Sequence, residues 1–247
     1  MNIREYLDST YLKTASQAGI SEIENDIVVK HAITEAINEG FKVIMIRPEY
    51  VALAKEMILQ ANSNLSIGIV IDFPEGKSDL ETKIKEGNQA IANGVDDLDF
   101  VCNYEAFKNG DKELVKQEVL IATQIGLANN KTVKWIIETA ALSEKEIIQF
   151  SSLIKNVIIS NFDEEDYESV FVKSSTGFYE TQDGSSNGAT IPAIIMMLEN
   201  ASPLPVKASG GVKTYKEAME MIELGVKRIG TSSAKAIVNG ENTPNEY

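Results

Sequence analysis

PVKASGGVKTYKEAMEMIELGVKRIGTSSAK, residues 205–235, carries the pattern that decides the fold. Residues 205–208 read as a short apolar strand, and Thr214 with Glu217 forms an S/T-x-x-E capping box that opens a helix. Gly225 stands where a left-handed helix stop belongs, and residues 227–230 read as the next strand. Outward from this stretch the rhythm repeats. Strands are read at residues 7–12, 42–46, 67–71, 97–101, 133–138 and 170–173, with capping boxes at Ser21/Glu24 and Ser143/Glu146 and glycine stops at Gly40 and Gly94. Together these make eight βα units in 247 residues, the usual size of a (β/α)8 TIM barrel. A doubly wound sheet would show about five or six strands and a nucleotide loop after the first, and neither G-x-G-x-x-G nor G-x-x-x-x-G-K-[ST] follows any strand. No Pro/Gly/Ser-rich linker divides the chain, so a single α/β barrel domain over 1–247 is expected, with a short C-terminal tail from about residue 239.

Composition narrows the function classes. Lys plus Arg number 23 against 37 Asp plus Glu, and a formal charge of −14 argues against nucleic acid as a partner. One cysteine, Cys102, excludes an internal disulfide framework; with one histidine, His31, it leaves too few ligands for an ordinary zinc site. His31 falls mid-helix and Cys102 lacks a basic neighbour, so both read as packing or surface residues. No run approaches the ~20 apolar residues of a membrane span, and a cytoplasmic chain is expected.

In a barrel, chemistry belongs at the carboxyl ends of the strands. FVKSSTGF puts Lys173 at the end of the sixth strand, and PVKASGGVK puts Lys207 at the matching place on the seventh. Strands about 4.8 Å apart bring two such amines close, and each cation disfavours protonation of the other. A lysine with a lowered pKa in a dry barrel mouth is what Schiff-base chemistry requires. Lys134 in VKWIIET adds a third cation lower in the barrel. In DDLDFVCNY, Asp97 and Asp99 alternate with Leu98 and Phe100, so both carboxylates point to one side, where the lysines can partner them and Asp99 can shuttle protons. Glu138, at the end of the fifth strand, is a supporting candidate. An anion site is expected after strands seven and eight: Gly210 and Gly211 admit close backbone approach, Ser232 and Ser233 open a short helix, Gly177 completes the cradle and Lys213 supplies a counter-charge.

These residues, in this order, resemble the deoxyribose-phosphate aldolase family, class I aldolases built on a (β/α)8 barrel. The similarity covers nearly the whole chain through LDSTYLK, DFPEG, DLDFV, VKWIIET, FVKSSTGF, VKASGGV and RIGTSS. The resemblance implies Lys173 as the Schiff-base lysine, Lys207 as the neighbour that lowers its pKa and Asp99 as the proton relay. It also places Gly177, Gly210, Gly211, Ser232 and Ser233 on the phosphate. The implied reaction is reversible cleavage of 2-deoxy-D-ribose 5-phosphate to D-glyceraldehyde 3-phosphate and acetaldehyde, without a metal or other cofactor. Four departures stand out. The family's D-H-T is Asp8, Ser9, Thr10, which removes one polar contact beside Thr10; Met45 replaces a common cysteine; Asp72 replaces a glycine and is expected to add a carboxylate near the mouth; and the acidic segment 160–169 is longer than usual, leaving the structure of 157–169 open. Tyr247 ends the chain where some family members carry a tyrosine that reaches the active site. The alternatives are another Schiff-base aldolase acting on a different sugar phosphate, or a non-catalytic sugar-phosphate-binding barrel. A homodimer is expected, as barrels commonly pair through outer helices.

Overall fold

The structure is a computed structural model that describes residues 2–181, 184 and 187–240. Its strands are β1 (Leu7–Thr10), β2 (Val43–Ile46), β3 (Ser66–Ile71), β4 (Asp97–Val101), β5 (Thr132–Ile136), β6 (Val170–Lys173), β7 (Val206–Ser209) and β8 (Arg228–Thr231). Its helices are α1 (Ala15–Ala18), α2 (Glu22–Glu39), α3 (Val51–Gln60), α4 (Leu80–Asn93), α5 (Tyr104–Lys108), α6 (Lys112–Ala128), α7 (Glu144–Asn161), α8 (Ile191–Ala201), α9 (Tyr215–Leu224) and α10 (Ala234–Asn239). Each strand runs parallel to the next and β8 pairs back onto β1, so the sheet closes in sequential order. All eight expected strands are present to within two residues.

Local chemistry sets the element ends. The capping boxes at Ser21, Ser143 and Thr214 form as expected, and a further one, Thr14 with Gln17, opens α1. Gly40, Gly94 and Gly225 close α2, α4 and α9 in the left-handed conformation. The strands are buried on both faces, as a parallel barrel demands, and VIMI and SIGIVI are accordingly near-continuous apolar runs. Between barrel and helices lies the main core, where Phe100 stacks on Trp135 at 5.1 Å and Phe107 on Phe150 at 4.0 Å. The Trp135 indole N–H donates to Thr123 Oγ1 at 3.0 Å, satisfying its one buried donor.

The acidic segment resolves into ordinary structure: α7 runs to Asn161, and a 3-10 turn over Glu164–Ser169 leads directly into β6. His31 is exposed on α2, and Cys102 is buried behind β4, where burial pushes its thiol pKa well above the usual range. No described helix is long and apolar enough to cross a membrane. The expected tail lies outside the described residues from 241 onward, and Tyr247 with it.

The interior of the barrel is filled in two ways. Leu12, Val43, Met45 and Val70 form a small apolar cluster near β1 to β3, with Phe73 and Phe178 packed on it. Met45 fits because β3 offers Gly68 opposite: a Cβ there would lie 2.3 Å from the Met45 sulfur. β1 and β4 to β8 send charges inward.

Candidate active site

Asp97 and Asp99 alternate with apolar residues along β4, and both carboxylates enter the barrel as their spacing predicts. Lys173 closes β6 in register with Lys207 of β7, and Lys207 is in register with Arg228 of β8. Three cations thus stand side by side on neighbouring strands, and carboxylates from β1 and β4 lie between them. Asp99 Oδ2 accepts from both Lys173 Nζ and Lys207 Nζ at 2.8 Å. Lys207 Nζ also lies 2.6 Å from Asp8 Oδ2, an oxygen that receives no well-angled hydrogen bond but is ion-paired at this distance. Arg228 grips Asp8 Oδ1 through Nε at 2.7 Å and through Nη2, which also reaches Asp97 Oδ2 at 3.3 Å. Lys134 Nζ joins Asp97 Oδ2 at 2.5 Å to Asp99 Oδ1 at 2.9 Å.

The contacts close on themselves. Asp99, Lys207, Asp8, Arg228, Asp97 and Lys134 form a ring of alternating charge, and Lys173 hangs from it at Asp99. Burial raises carboxyl pKa values, yet Lys134, Lys173 and Lys207 hold Asp99 well below the usual range, and Arg228, Lys207 and Lys134 hold Asp8 down as well. Burial opposes charge on Lys134 too, but Asp97, Asp99 and Asp8 raise its pKa. Lys173 is the exception. Burial lowers its pKa, the neighbouring Lys207 and Lys134 lower it further, and against the pull of Asp99 it comes down to about 8. An amine with that pKa is a nucleophile near neutral pH.

Beyond Lys173 the chain turns through Ser174, Ser175 and Thr176, and Glu138 organises that turn. It sits at the end of β5 in a left-handed conformation and is 1% exposed. It accepts from Ser175 Oγ at 2.7 Å, from Thr176 N at 3.2 Å and from the Thr176 hydroxyl. Burial raises its pKa against those hydrogen bonds.

Gly177 and Gly210 meet across the strand ends: a Cβ on Gly210 would lie 3.5 Å from the Gly177 Cα and 2.8 Å from that of Gly188. Gly188 is a third member of this contact that sequence reasoning missed. Gly211 follows with φ of 80°, and Lys213 stands two residues on, half-buried, its amide donating to Glu217 Oε2 at 2.8 Å. Ser232 and Ser233 lead into α10 as expected, but the Ser233 amide already donates to Thr231 Oγ1 at 2.9 Å. Thr10 ends β1 and donates to Asp8 O at 2.9 Å.

One expectation is overturned. Asp72 adds no carboxylate to the mouth: it adopts a left-handed conformation, with φ of 53°, where a glycine is natural. Its carboxylate turns into the loop after β3, accepting from Ser78 N at 2.9 Å and Ser78 Oγ at 2.7 Å, with Lys83 Nζ at 3.4 Å. Asp8 and Arg228 are central members that sequence reasoning did not single out. A charged residue inside a four-residue buried strand is the signal that marks both.

The model of the DeoC/LacD family aldolase matches residues 7–240. The deoxyribose-phosphate aldolase of Thermococcus gammatolerans is 36% identical over 97% of this chain and 96% of its own length. That of Brevibacillus brevis is 36% identical over 98% of both chains. Among solved structures, deoxyribose phosphate aldolase from Aeropyrum pernix, described as a unique tetramer, superposes with a TM-score of 0.74 at 25% identity, covering 96% of this chain and 89% of its own. The aldolase QR15 gives 0.78 at 28%, covering 97% and 95%. A lysine with a lowered pKa in the mouth of a closed barrel and a match over almost the whole chain point the same way: this chain belongs to the DeoC/LacD family of aldolases.

Proposed function

We propose that this chain is a class I aldolase that cleaves 2-deoxy-D-ribose 5-phosphate, reversibly, to D-glyceraldehyde 3-phosphate and acetaldehyde. The observation that carries the reading is Lys173 itself: 2% exposed, at a barrel strand end, with a pKa lowered to about 8 and one carboxylate oxygen that it shares with Lys207. Relatives named for this activity at 36% identity over nearly the full chain support the substrate.

The neutral Lys173 amine adds to C1 of the open-chain sugar, and loss of water leaves an iminium. The iminium draws the electrons of the C2–C3 bond as the C3 hydroxyl gives up its proton, releasing glyceraldehyde phosphate and leaving an enamine. Protonation at C2 and hydrolysis then free acetaldehyde and the lysine. Asp99 and Lys207, joined at 2.8 Å, are the pair through which protons pass at the carbinolamine and enamine steps. Glu138 keeps the Ser174–Thr176 turn, and hence the strand end carrying Lys173, in place. Gly177, Gly210, Gly211 and the Ser232–Ser233 turn, with Lys213, receive the phosphate. We read the enzyme as a cytoplasmic homodimer; Ile23 and Ile27, one turn apart and exposed on α2, favour an assembly, and light scattering in solution tests it.

The experiment is a coupled assay over a panel of phosphorylated and free sugars in the presence of EDTA. The proposal expects acetaldehyde release from 2-deoxyribose 5-phosphate, unaffected by the chelator. A clear preference for another sugar phosphate would replace the substrate, and phosphate-dependent binding without cleavage would overturn the catalytic reading.

A further inference from the structure

Resting on the reading of Lys173 as the nucleophile, we propose that Arg228, which touches neither Lys173 nor the barrel mouth, is the positioning residue that keeps Lys173 the surplus cation of the site. Its side chain is buried and closes the charged ring between β1 and β4, holding Asp8 Oδ1 and reaching Asp97 Oδ2 at 3.3 Å. Within the ring, Asp8, Asp97 and Asp99 are matched by Lys134, Lys207 and Arg228. A proton on Lys173 is then one positive charge too many in a buried, low-dielectric site, and the amine releases it readily. Glu138 faces the same strand end and attracts Lys173 electrostatically, but it forms no ion pair with Lys173 or with a ring cation. Its oxygens accept from Ser175 and Thr176, so its pull is weaker than that of the ring carboxylates and is the same in every variant below.

Arg228 also fixes geometry. By occupying Asp8 Oδ1 it leaves only Oδ2 for Lys207, at 2.6 Å, and Lys207 is thereby held between Asp8 and Asp99 instead of swinging fully to either. An arginine suits this place because its guanidinium stays protonated whatever happens to its neighbours and forks across two carboxylates at once.

Removing the cation should make the nucleophile harder to deprotonate. In Arg228→Gln three carboxylates face two ring cations, the proton on Lys173 restores neutrality, and the acid limb of its reactivity moves to higher pH by on the order of one unit. In Asp8→Asn the imbalance is reversed and the limb moves to lower pH. The double variant Asp8→Asn/Arg228→Gln is balanced again, and Arg228→Lys keeps the charge; both limbs should fall near that of the unaltered protein. A residue that served only the fold would lower the rate at every pH and leave the limb where it was.

The experiment follows, across pH, the rate at which acetaldehyde and borohydride label Lys173, read by peptide mass spectrometry, in the unaltered chain and in each variant. Opposite displacements in Arg228→Gln and Asp8→Asn, cancelling in the double variant, are the expected result. If Arg228→Gln does not fold, the downward shift in Asp8→Asn and the return of the limb in the double variant carry the test. Labelling of Lys173 with an unmoved limb in the single variants that fold would overturn this inference alone. No label on Lys173 in the unaltered, folded protein at any pH would overturn the functional reading and this inference with it.

Discussion

Lys83 in the helix layer and Lys173 inside the barrel are 1% and 2% exposed, and they are held in opposite ways. Lys83 donates to Gly76 O and Val101 O, each at 3.0 Å, and to Glu118 Oε1 at 2.8 Å, with Asp72 Oδ2 a further 3.4 Å away. Its ammonium has an acceptor for each of its three protons. Among the described residues Lys173 has one acceptor, Asp99 Oδ2, and shares it with Lys207. Burial therefore does not by itself make an amine reactive. A buried lysine given a full set of acceptors is a structural clamp, here tying the loop after β3 to the end of β4 and to α6. A buried lysine attached to an already neutral ring gains little from its proton, and its nitrogen lone pair becomes available.

The largest effect that separates the two sites is expected from Lys173→Met, which should remove borohydride-trappable adduct and lower turnover by at least about a thousandfold while the chain stays folded. Retained turnover would break the comparison at its root. Asp99→Asn keeps the shape but loses the shared anion, and a fall in kcat of about 10²- to 10⁴-fold is expected in steady-state kinetics. Lys83→Met should behave the other way round. It leaves Glu118 buried without its cation, so denaturant unfolding should report a loss of about 3–5 kcal/mol, while the folded fraction still labels at Lys173.

How much of this contrast is visible in the sequence depends on the range of the interaction. The βα rhythm, the capping boxes and the alternation of Asp97 and Asp99 are local patterns, and each is reproduced in the structure. Lys173 and Lys207 stand out because each follows a short apolar run; Lys173 ends β6, whereas Lys207 lies inside β7, two residues before its end, and the register still sets the two side by side. Arg228 and Asp8 are 220 residues apart, in strands that meet only because the barrel closes, and no local pattern joins them. Asp72 misleads for a different reason: its place in the loop suggests the mouth, but its positive φ turns the carboxylate toward Ser78 and Lys83.

Two smaller effects sharpen the account. Lys173, with a pKa near 8 instead of its ordinary 10.5, is charged below that pH and neutral above it. The kcat/KM profile should therefore lose about tenfold per unit as pH falls beneath 8 and level off above it. A limb near the ordinary lysine value would mean that the ring does not act as described. Asp72→Gly should change stability least. Relief of the left-handed backbone is worth about 1 kcal/mol, and loss of the Ser78 hydrogen bonds costs about 1–2 kcal/mol, so calorimetry should find a net loss of about 1 kcal/mol or less.

The most direct test of the central claim is to incubate the folded protein with acetaldehyde near pH 8, reduce with borohydride and locate the adduct by peptide mapping. Modification of Lys173, with Lys207, Lys134 and Lys83 untouched, is the predicted result. An adduct on Lys207 or Lys134 in place of Lys173, or none at all, would contradict it.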